Sequence, residues 1–201
     1  EKFLFSTANE LRNVGSPYGF VTMGSAMAFT KSCYIKAGGM PRKKATEDFY
    51  FIQEIVKTSS IKTIPIKLVF PSPRISDRVY LGTGFRMLEA SKGKNLSDLF
   101  YSKSSFKILK KWLNIGQNGF GNSITEILNE ANKIIFYLPI FLEKNNIHKI
   151  WKGLQKSSKN EKQFRHQFHC WFDGLKTHRL LKYFSTVPSS SLQQKNIEQE
   201  Q

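Results

Sequence analysis

Apolar side chains recur at helical spacing directly after Thr46, a residue type that often caps the start of a helix. The pattern predicts a helix from about Glu47 to Lys57, with Glu47 and Asp48 in its first turn. Its apolar face comprises Phe49, Ile52, Ile55 and Val56. Free N–H groups and the helix dipole stabilise carboxylates at a helix start by about 0.3–1 kcal/mol, so capping alone would account for the acidic pair.

The second half of the chain has a helical pattern. The motif Ser123-Ile124-Thr125-Glu126 matches a capping box, and the apolar stripe from Ile124 to Leu138 predicts a helix. Its end, Ile134 to Leu142, is apolar almost throughout and contains Pro139, which predicts a kinked, buried helix. A second amphipathic helix is predicted from about Glu161 to Phe184. The tail from Ser185, rich in Ser and Gln, has the composition of a disordered segment.

The first half combines short β-type segments with glycines. Residues 26–30 and the alternating apolar run 64–70 predict two short strands, and Pro65 places the second at a sheet edge or at a strand entry. A short helix is predicted from Lys31. It ends at Gly38-Gly39, because glycine readily adopts the positive φ found at helix ends.

A basic segment follows the second predicted strand. It carries Arg74, Arg78 and Arg86, with Gly82-Thr83-Gly84 before the last of them. A flexible loop of this composition suits a phosphate group. An ordinary solvated basic loop has the same composition, and Gly-x-Gly alone is a weak signal, so both interpretations remain open at this point.

Composition narrows the class of protein. The 201 residues contain 31 Lys and Arg against 15 Asp and Glu, and the net charge of +16 would attract phosphates, nucleic acid or an anionic membrane. The charge is diffuse, with 15 basic and 8 acidic residues up to Asp98 and 16 against 7 after it, which weakens the nucleic-acid interpretation. No long apolar run predicts a membrane span. Cys33 and Cys170 are widely separated, as expected of two thiols in a reducing, cytosolic compartment.

Three histidines and a cysteine come close together near the end of the chain. They are His166, His169, Cys170 and His178. Only a few of them can share one helical face, and no matching set lies elsewhere in the sequence. We therefore predict no metal site within these residues.

Several motifs, in this order, resemble the second half of a family 2 glycosyltransferase of the GT-A fold. They are Gly24-Ser25-Ala26-Met27-Ala28-Phe29, Ala37-Gly38-Gly39-Met40, Thr46-Glu47-Asp48-Phe49, Pro73-Arg74-Ile75-Ser76-Asp77-Arg78 and Gly82-Thr83-Gly84. The resemblance covers roughly residues 20–84. It implies an α/β fold, namely the C-terminal half of a GT-A nucleotide-diphospho-sugar transferase with few strands plus helices, followed by an α-helical extension.

The resemblance also implies how the chain is divided. Residues 1–94 would be the acceptor and catalytic-base half, 95–184 the helical extension and 185–201 the disordered tail. The segment Phe172-Asp173-Gly174-Leu175-Lys176 resembles the extension found in some bacterial members.

The family assigns roles to the matching residues. Asp48 would be the general base that deprotonates an acceptor hydroxyl during inverting transfer from a nucleotide-diphosphate sugar. Arg78, with Arg74 as the second choice, would hold the donor diphosphate. The residues expected on the acceptor side are Glu47, Gly24, Ser25, Gly38 and Gly39.

One family feature is missing from the sequence. No Asp-x-Asp occurs in these residues, whereas the family uses this motif, in its first half, to bind a divalent metal, Mg or Mn, and the sugar nucleotide. We therefore expect a fragment that is inactive alone. Its expected partners are a nucleotide-sugar donor, a glycan or lipid-linked acceptor and the missing N-terminal half of the same polypeptide, with no nucleic acid. The expected location is cytoplasmic, with peripheral contact at the inner face of the membrane left open.

Two alternatives remain at this stage. The first is a basic module that binds an anionic membrane or nucleic acid through the Lys-rich helices after Asn95. The second is a non-catalytic homologue that is kept for protein contacts.

Overall fold

The structure, a computed structural model, describes residues 2–21, 26–43, 45–64, 66, 68–70 and 83–186. These residues form ten α-helices and one 3₁₀ helix, and no strand occurs among them. The α-helices are α1 Lys2–Asn13, α2 Lys31–Lys36, α3 Glu47–Thr58, α4 Thr83–Ser91, α5 Lys103–Gln117, α6 Ile124–Ile134, α7 Tyr137–Glu143, α8 Ile147–Ser157, α9 Glu161–Trp171 and α10 Gly174–Thr186. The 3₁₀ helix is Leu96–Leu99.

The predicted α/β fold is wrong for the described part of the chain. Residues 26–30 and the described positions of the run 64–70 are not strands. A strand forms when a neighbouring strand accepts and donates its backbone hydrogen bonds, and alternation of apolar residues alone does not supply that neighbour. The side chains of Ile64, Ile66 and Leu68 are accordingly 61%, 66% and 62% exposed instead of packed on one face.

The chain divides into two compact units. The first comprises Glu1–Asn9 and Tyr18–Phe100, and the second comprises Glu10–Pro17 and Tyr101–Gln201. In the first unit α2 packs against α3, while the second is a bundle of α5 to α10.

Helix α5 is central to the second unit, because α6, α9 and α10 all pack on it. Its Trp112 is fully buried and contacts the ring edges of Phe168 and Phe172, with centroid separations of 5.7 and 5.8 Å. Large aromatic side chains therefore supply much of the apolar surface that this bundle removes from water. The other fully or almost fully buried rings are Trp151, Phe164 and Phe184.

Two glycines let aromatic rings approach the backbone of this bundle. A β-carbon on Gly116 of α5 would lie 2.3 Å from the ring of Phe168, and one on Gly119 would lie 2.6 Å from the ring of Trp151. Both separations are far below van der Waals contact, so only glycine fits at these positions in the present packing.

The capping box predicted at Ser123 is confirmed. The Ser123 hydroxyl accepts from the Glu126 N–H at 3.2 Å, and the Glu126 carboxylate accepts from the Ser123 N–H at 2.7 Å. The predicted continuation to Leu138 is wrong, because the helix ends at Ile134 and Ile135 is extended (φ −169°). Pro139 lies in the first turn of α7, where a missing N–H breaks no helical bond, so it causes no kink.

The predicted helix from Glu161 to Phe184 is two helices. Helix α9 ends at Trp171, and the Asp173 carboxylate accepts from the Lys176 N–H at 3.0 Å at the start of α10. An aspartate in this position accepts from one of the free N–H groups of a new helix, so Asp173 caps the start of α10.

The segment after residue 82, predicted as a flexible basic loop, begins with helix α4. Arg86 and Lys94 both form ion pairs with Glu89, and the pKa of this carboxyl is lowered, chiefly by the hydrogen bond from Lys94. Arg86 is therefore engaged within its own helix. No helix in the described ranges has the length and apolar character needed to cross a membrane.

Candidate functional site

Asp48 and Glu47 lie in the first turn of α3, as predicted, and both are partly buried. One oxygen of Asp48, Oδ1, accepts from the N–H of the next residue, Phe49, at 2.8 Å. Its other oxygen, Oδ2, has no hydrogen-bond partner among the described residues. The Asp48 carboxylate thus has one oxygen oriented by the backbone and one that no described residue engages in a hydrogen bond.

Helix α3 itself matches the prediction closely, ending at Thr58 instead of Lys57. Ile52 and Ile55 are buried as expected, but Phe51 and Gln53 are also buried, and Phe49 and Val56 are only partly so. The buried face is thus rotated towards Phe51, a position that the helical spacing of aliphatic residues did not pick out.

Thr46 occupies the N-cap position of α3, as predicted, but its side chain forms no capping hydrogen bond. Its hydroxyl donates to the Ala45 carbonyl at 2.6 Å, and its backbone is left-handed, with φ 63° and ψ 19°. Side-chain capping requires an extended backbone at this position, which explains the difference. A left-handed conformation costs a residue with a β-carbon about 1–2 kcal/mol, and such strain is often found beside functional residues.

The predicted glycine stop after α2 is confirmed. Gly38 and Gly39 have φ of 77° and 78°, and their N–H groups donate to the carbonyls of Ile35 and Tyr34 at 3.0 and 2.9 Å. A β-carbon on Gly39 would also lie 3.3 Å from the hydroxyl of Tyr34. Gly39 therefore both permits the turn and leaves room for the tyrosine ring.

Three aromatic rings join the α2 segment to α3. Phe29 and Tyr34 stack with centroids 5.6 Å apart, and Phe51 contacts them at 4.9 and 5.5 Å. Phe51 is fully buried and follows Asp48 by less than one helical turn. The glycine turn and the carboxylate are consequently held in one packed substructure, a connection that sequence spacing did not reveal.

One lysine side chain, that of Lys43, lies beside the first turns of α3. The Lys43 ammonium lies 4.2 Å from the centre of the Tyr50 ring, a cation–π contact on the first turns of α3. Among the described residues no Lys, Arg or His nitrogen comes within 4 Å of the carboxylate of Asp48 or Glu47. No described residue therefore forms an ion pair with either carboxylate that a substrate would have to displace.

Four predicted site residues lie outside the described ranges. They are Gly24, Ser25, Arg74 and Arg78. The structure places Asp48 and Glu47 in the first turn of α3, and it places Gly38 and Gly39 in the turn after α2, the helix that packs on α3. The proposed diphosphate contacts stay predictions from the sequence.

The described residues contain no group of three His, Cys, Asp or Glu side chains that could hold a metal ion. The clustered histidines have separate surroundings instead. His169 lies 3.2 Å from Gln117 Oε1 and His178 lies 3.1 Å from the Tyr101 hydroxyl, whereas His166 is 3.6 Å from the Cys170 sulfur. Burial lowers the pKa of His169 and His178 to about 4, so both are neutral members of the bundle near pH 7.

Protein-family models, curated proteins and solved structures were all compared with the chain, and none matches it at a significant level. The glycosyltransferase resemblance consequently rests on the motifs quoted above.

Proposed function

We propose that this chain carries the catalytic base of an inverting glycosyltransferase, and that the base is Asp48. The acceptor hydroxyl would lie against Asp48, with Glu47 and the glycine turn at Gly38-Gly39 beside it.

The observation that carries the proposal is the state of the Asp48 carboxylate. It stands on the first turn of a packed helix, Oδ1 is oriented by the Phe49 N–H at 2.8 Å, and no described cation pairs with it. A general base must be within about 2.6–3.2 Å of the proton that it removes, so a rigid, partly exposed carboxylate oxygen has the required properties. The left-handed Thr46 immediately before the pair agrees with a backbone constrained for function.

The proposed step conserves atoms and charge. Asp48 Oδ2 takes the proton of the acceptor hydroxyl group while the oxygen of that hydroxyl attacks the anomeric carbon of the sugar. The bond between the anomeric carbon and the oxygen of the donor phosphate breaks. A new glycosidic bond with inverted configuration and a nucleoside diphosphate result. Charge that develops on the diphosphate needs cationic contacts, and guanidinium groups bind phosphate oxygens in a bidentate manner. Arg78 and Arg74 are the residues that we propose for this role.

The proposed partners are a nucleotide-sugar donor, a glycan or lipid-linked acceptor, and a donor-binding part of the polypeptide outside residues 1–201. A divalent Mg or Mn ion would neutralise diphosphate charge in that part. The described residues offer no set of ligands for such an ion, and no step above depends on it. Nucleotide sugars are consumed in the cytoplasm in this scheme, which is the location that we propose.

The test uses the whole natural polypeptide that contains these residues. It is supplied with a panel of nucleotide sugars and candidate acceptors, and release of nucleoside diphosphate is measured. Asp48→Asn keeps the shape of the side chain but weakens it as a base, so we expect kcat to fall by about 10²–10⁴. Glu47→Gln should mainly raise the KM for the acceptor, because we place it at the acceptor and not at the transferred proton.

Glu54→Gln is the matched control. Glu54 lies on the same helix and pairs with Lys57 at 2.7 Å, so its change tests whether loss of any α3 carboxylate lowers the rate. We expect its turnover to equal that of the wild type. Normal turnover in Asp48→Asn would refute the assignment, and absence of transfer by the wild type with every donor would favour a non-catalytic homologue.

A further inference from the structure

We propose that the exposed face of α5 binds electrostatically to the surface of an anionic phospholipid bilayer. This face, called here the α5 lysine face, consists of Lys103, Lys107, Lys110 and Lys111. The inference does not depend on the proposed glycosyl transfer.

The four lysines form a compact row. They are all exposed, and at 100° per residue they fall within an arc of roughly 100° on the helix. At a rise of 1.5 Å per residue, Lys103 and Lys111 are about 12 Å apart along the axis. The opposite face of α5 is buried in the bundle and includes Trp112 and Leu109, so the lysines can only point outwards.

Helix stability gives no reason for this row. Helix α5 contains no acidic residue, and Lys103 lies in its first turn, where the helix dipole disfavours a cation. The pairs 103–107 and 107–111 are like charges one turn apart, which destabilises a helix. No described carboxylate lies within 4 Å of any of the four ammonium groups.

The surroundings add to the positive potential. Between residues 101 and 186 there are fifteen Lys and Arg against five Asp and Glu. Two of those acids are already paired, Glu130 with Lys133 and Asp173 with Lys176. The uncompensated charge is therefore concentrated on helices that lack acids, of which α5 has the most lysines.

The residue types on the α5 lysine face favour binding to lipid over binding to nucleic acid. The cations of the face are all lysine, a hydrated point charge, whereas base and phosphate recognition in nucleic acids commonly uses the planar guanidinium of arginine. The other exposed positions of α5 facing the same way are Ser104 and Asn114, so the face offers no aromatic ring for base stacking. A row of lysines without directional partners suits a bilayer surface, where anionic headgroups are numerous and mobile.

Helix α8 provides a matched comparison. It also exposes three lysines and contains no acidic residue, namely Lys149, Lys152 and Lys156. Its start, however, lies beside Glu143, which is 3.8 Å from His148. We therefore assign the contact to α5 and use α8 to test whether position matters or only total charge.

The experiment measures partition of the 201-residue chain onto 100 nm vesicles by co-sedimentation. Vesicles of phosphatidylcholine with about 30% phosphatidylglycerol are compared with pure phosphatidylcholine. A lysine near an anionic surface contributes about fivefold in affinity. Replacing all four α5 lysines by Gln should thus weaken partition by about 100-fold or more, and replacing all four by Arg should preserve it. Raising the ionic strength should weaken wild-type binding, because salt screens these charges.

Each outcome decides the proposal. The triple variant with Gln at the α8 lysines should bind the anionic vesicles with an affinity within about threefold of the wild type. Far-UV circular dichroism checks that every variant is folded. Equal weakening per lysine in the α5 and α8 variants would overturn the assignment, since only total charge would then matter. Equal binding to pure phosphatidylcholine would overturn it as well. Tighter binding to a duplex DNA at the same salt, lost in the α5 Gln variant, would assign the face to nucleic acid instead.

Discussion

Gly116 is the position where a single methyl group tests the packing of the bundle most directly. Its β-carbon would lie 2.3 Å from two ring atoms of Phe168, over 1 Å inside normal contact. The ring cannot move aside easily, because it is fully buried, stacks on Phe172 at 6.0 Å and meets Trp112 at 5.7 Å. Alanine is favoured over glycine in a helix by about 1 kcal/mol, while overpacking costs about 1–3 kcal/mol. Because the contact is so close, the overpacking cost should lie in the upper part of its range, about 2–3 kcal/mol, and we expect Gly116→Ala to lower the free energy of unfolding by about 1–2 kcal/mol.

Gly153→Ala is the control, and the expected sign is opposite. Gly153 also lies inside a helix, α8, but it is exposed and nothing lies within 4 Å of its β-carbon position. Helix propensity alone then acts, and stability should rise by about 0.5–1 kcal/mol.

Urea unfolding followed by tryptophan fluorescence measures both variants, because the three tryptophans, Trp112, Trp151 and Trp171, all lie in the second unit. The reasoning would be refuted if Gly116→Ala were as stable as the wild type or shifted the midpoint in the same direction as Gly153→Ala. Gly116→Ala should cost less stability in a Phe168→Leu background than in the wild type, because the smaller side chain leaves room for the added methyl group. A double-mutant cycle would detect this difference.

Two further predictions use the same assay. Ser123→Ala removes the hydroxyl that accepts from the Glu126 N–H and should cost about 1 kcal/mol, whereas Ser123→Thr should stay close to the wild type; equal losses would contradict the capping role. Burial lowers the pKa of His178 from 6.5 to about 4, so the unfolded chain binds more protons between these values. The contribution of His178 to stability should be complete above pH 6.5 and be lost, by about 2–3 kcal/mol, as the pH drops towards 4, in addition to the loss from His169. The acid-side loss should therefore be smaller in His178→Gln, and an unchanged profile in that variant would contradict this.

Local signals were predicted well. Helix α3, the end of α2 at Gly38-Gly39 and the capping box at Ser123 all depend on residues within about four positions of one another. Hydrogen bonds and sterics within one turn decide such features, so sequence spacing is sufficient to find them.

Helix breaks were not predicted. The apolar stripe runs through Ile135, and the amphipathic pattern runs through Asp173, yet a new helix begins after each. Continuous amphipathic patterns cannot show where the chain turns back, because both halves bury apolar residues in one core, as Ala131 and Leu138 do on either side of Ile135. The turn is decided by that shared core.

In the candidate site, too, some features could be predicted from the sequence and others could not. The acidic pair in the first turn of α3 could be found from the sequence, whereas the left-handed Thr46 and the contacts of Phe51 with Phe29 and Tyr34 could not. Rings that lie far apart along the chain meet only when two helices pack, and no local pattern encodes which face each helix will bury.

By itself, then, the sequence determined the helices with clear caps, the glycine turn and the excess of positive charge, because these follow from neighbouring residues and composition. Tertiary structure decided that the alternating run 64–70 stays out of a sheet among the described residues, since a strand depends on a partner elsewhere in the chain. It also decided which lysines are left facing outwards, because packing Trp112 into the core directs the opposite side of α5 to solvent.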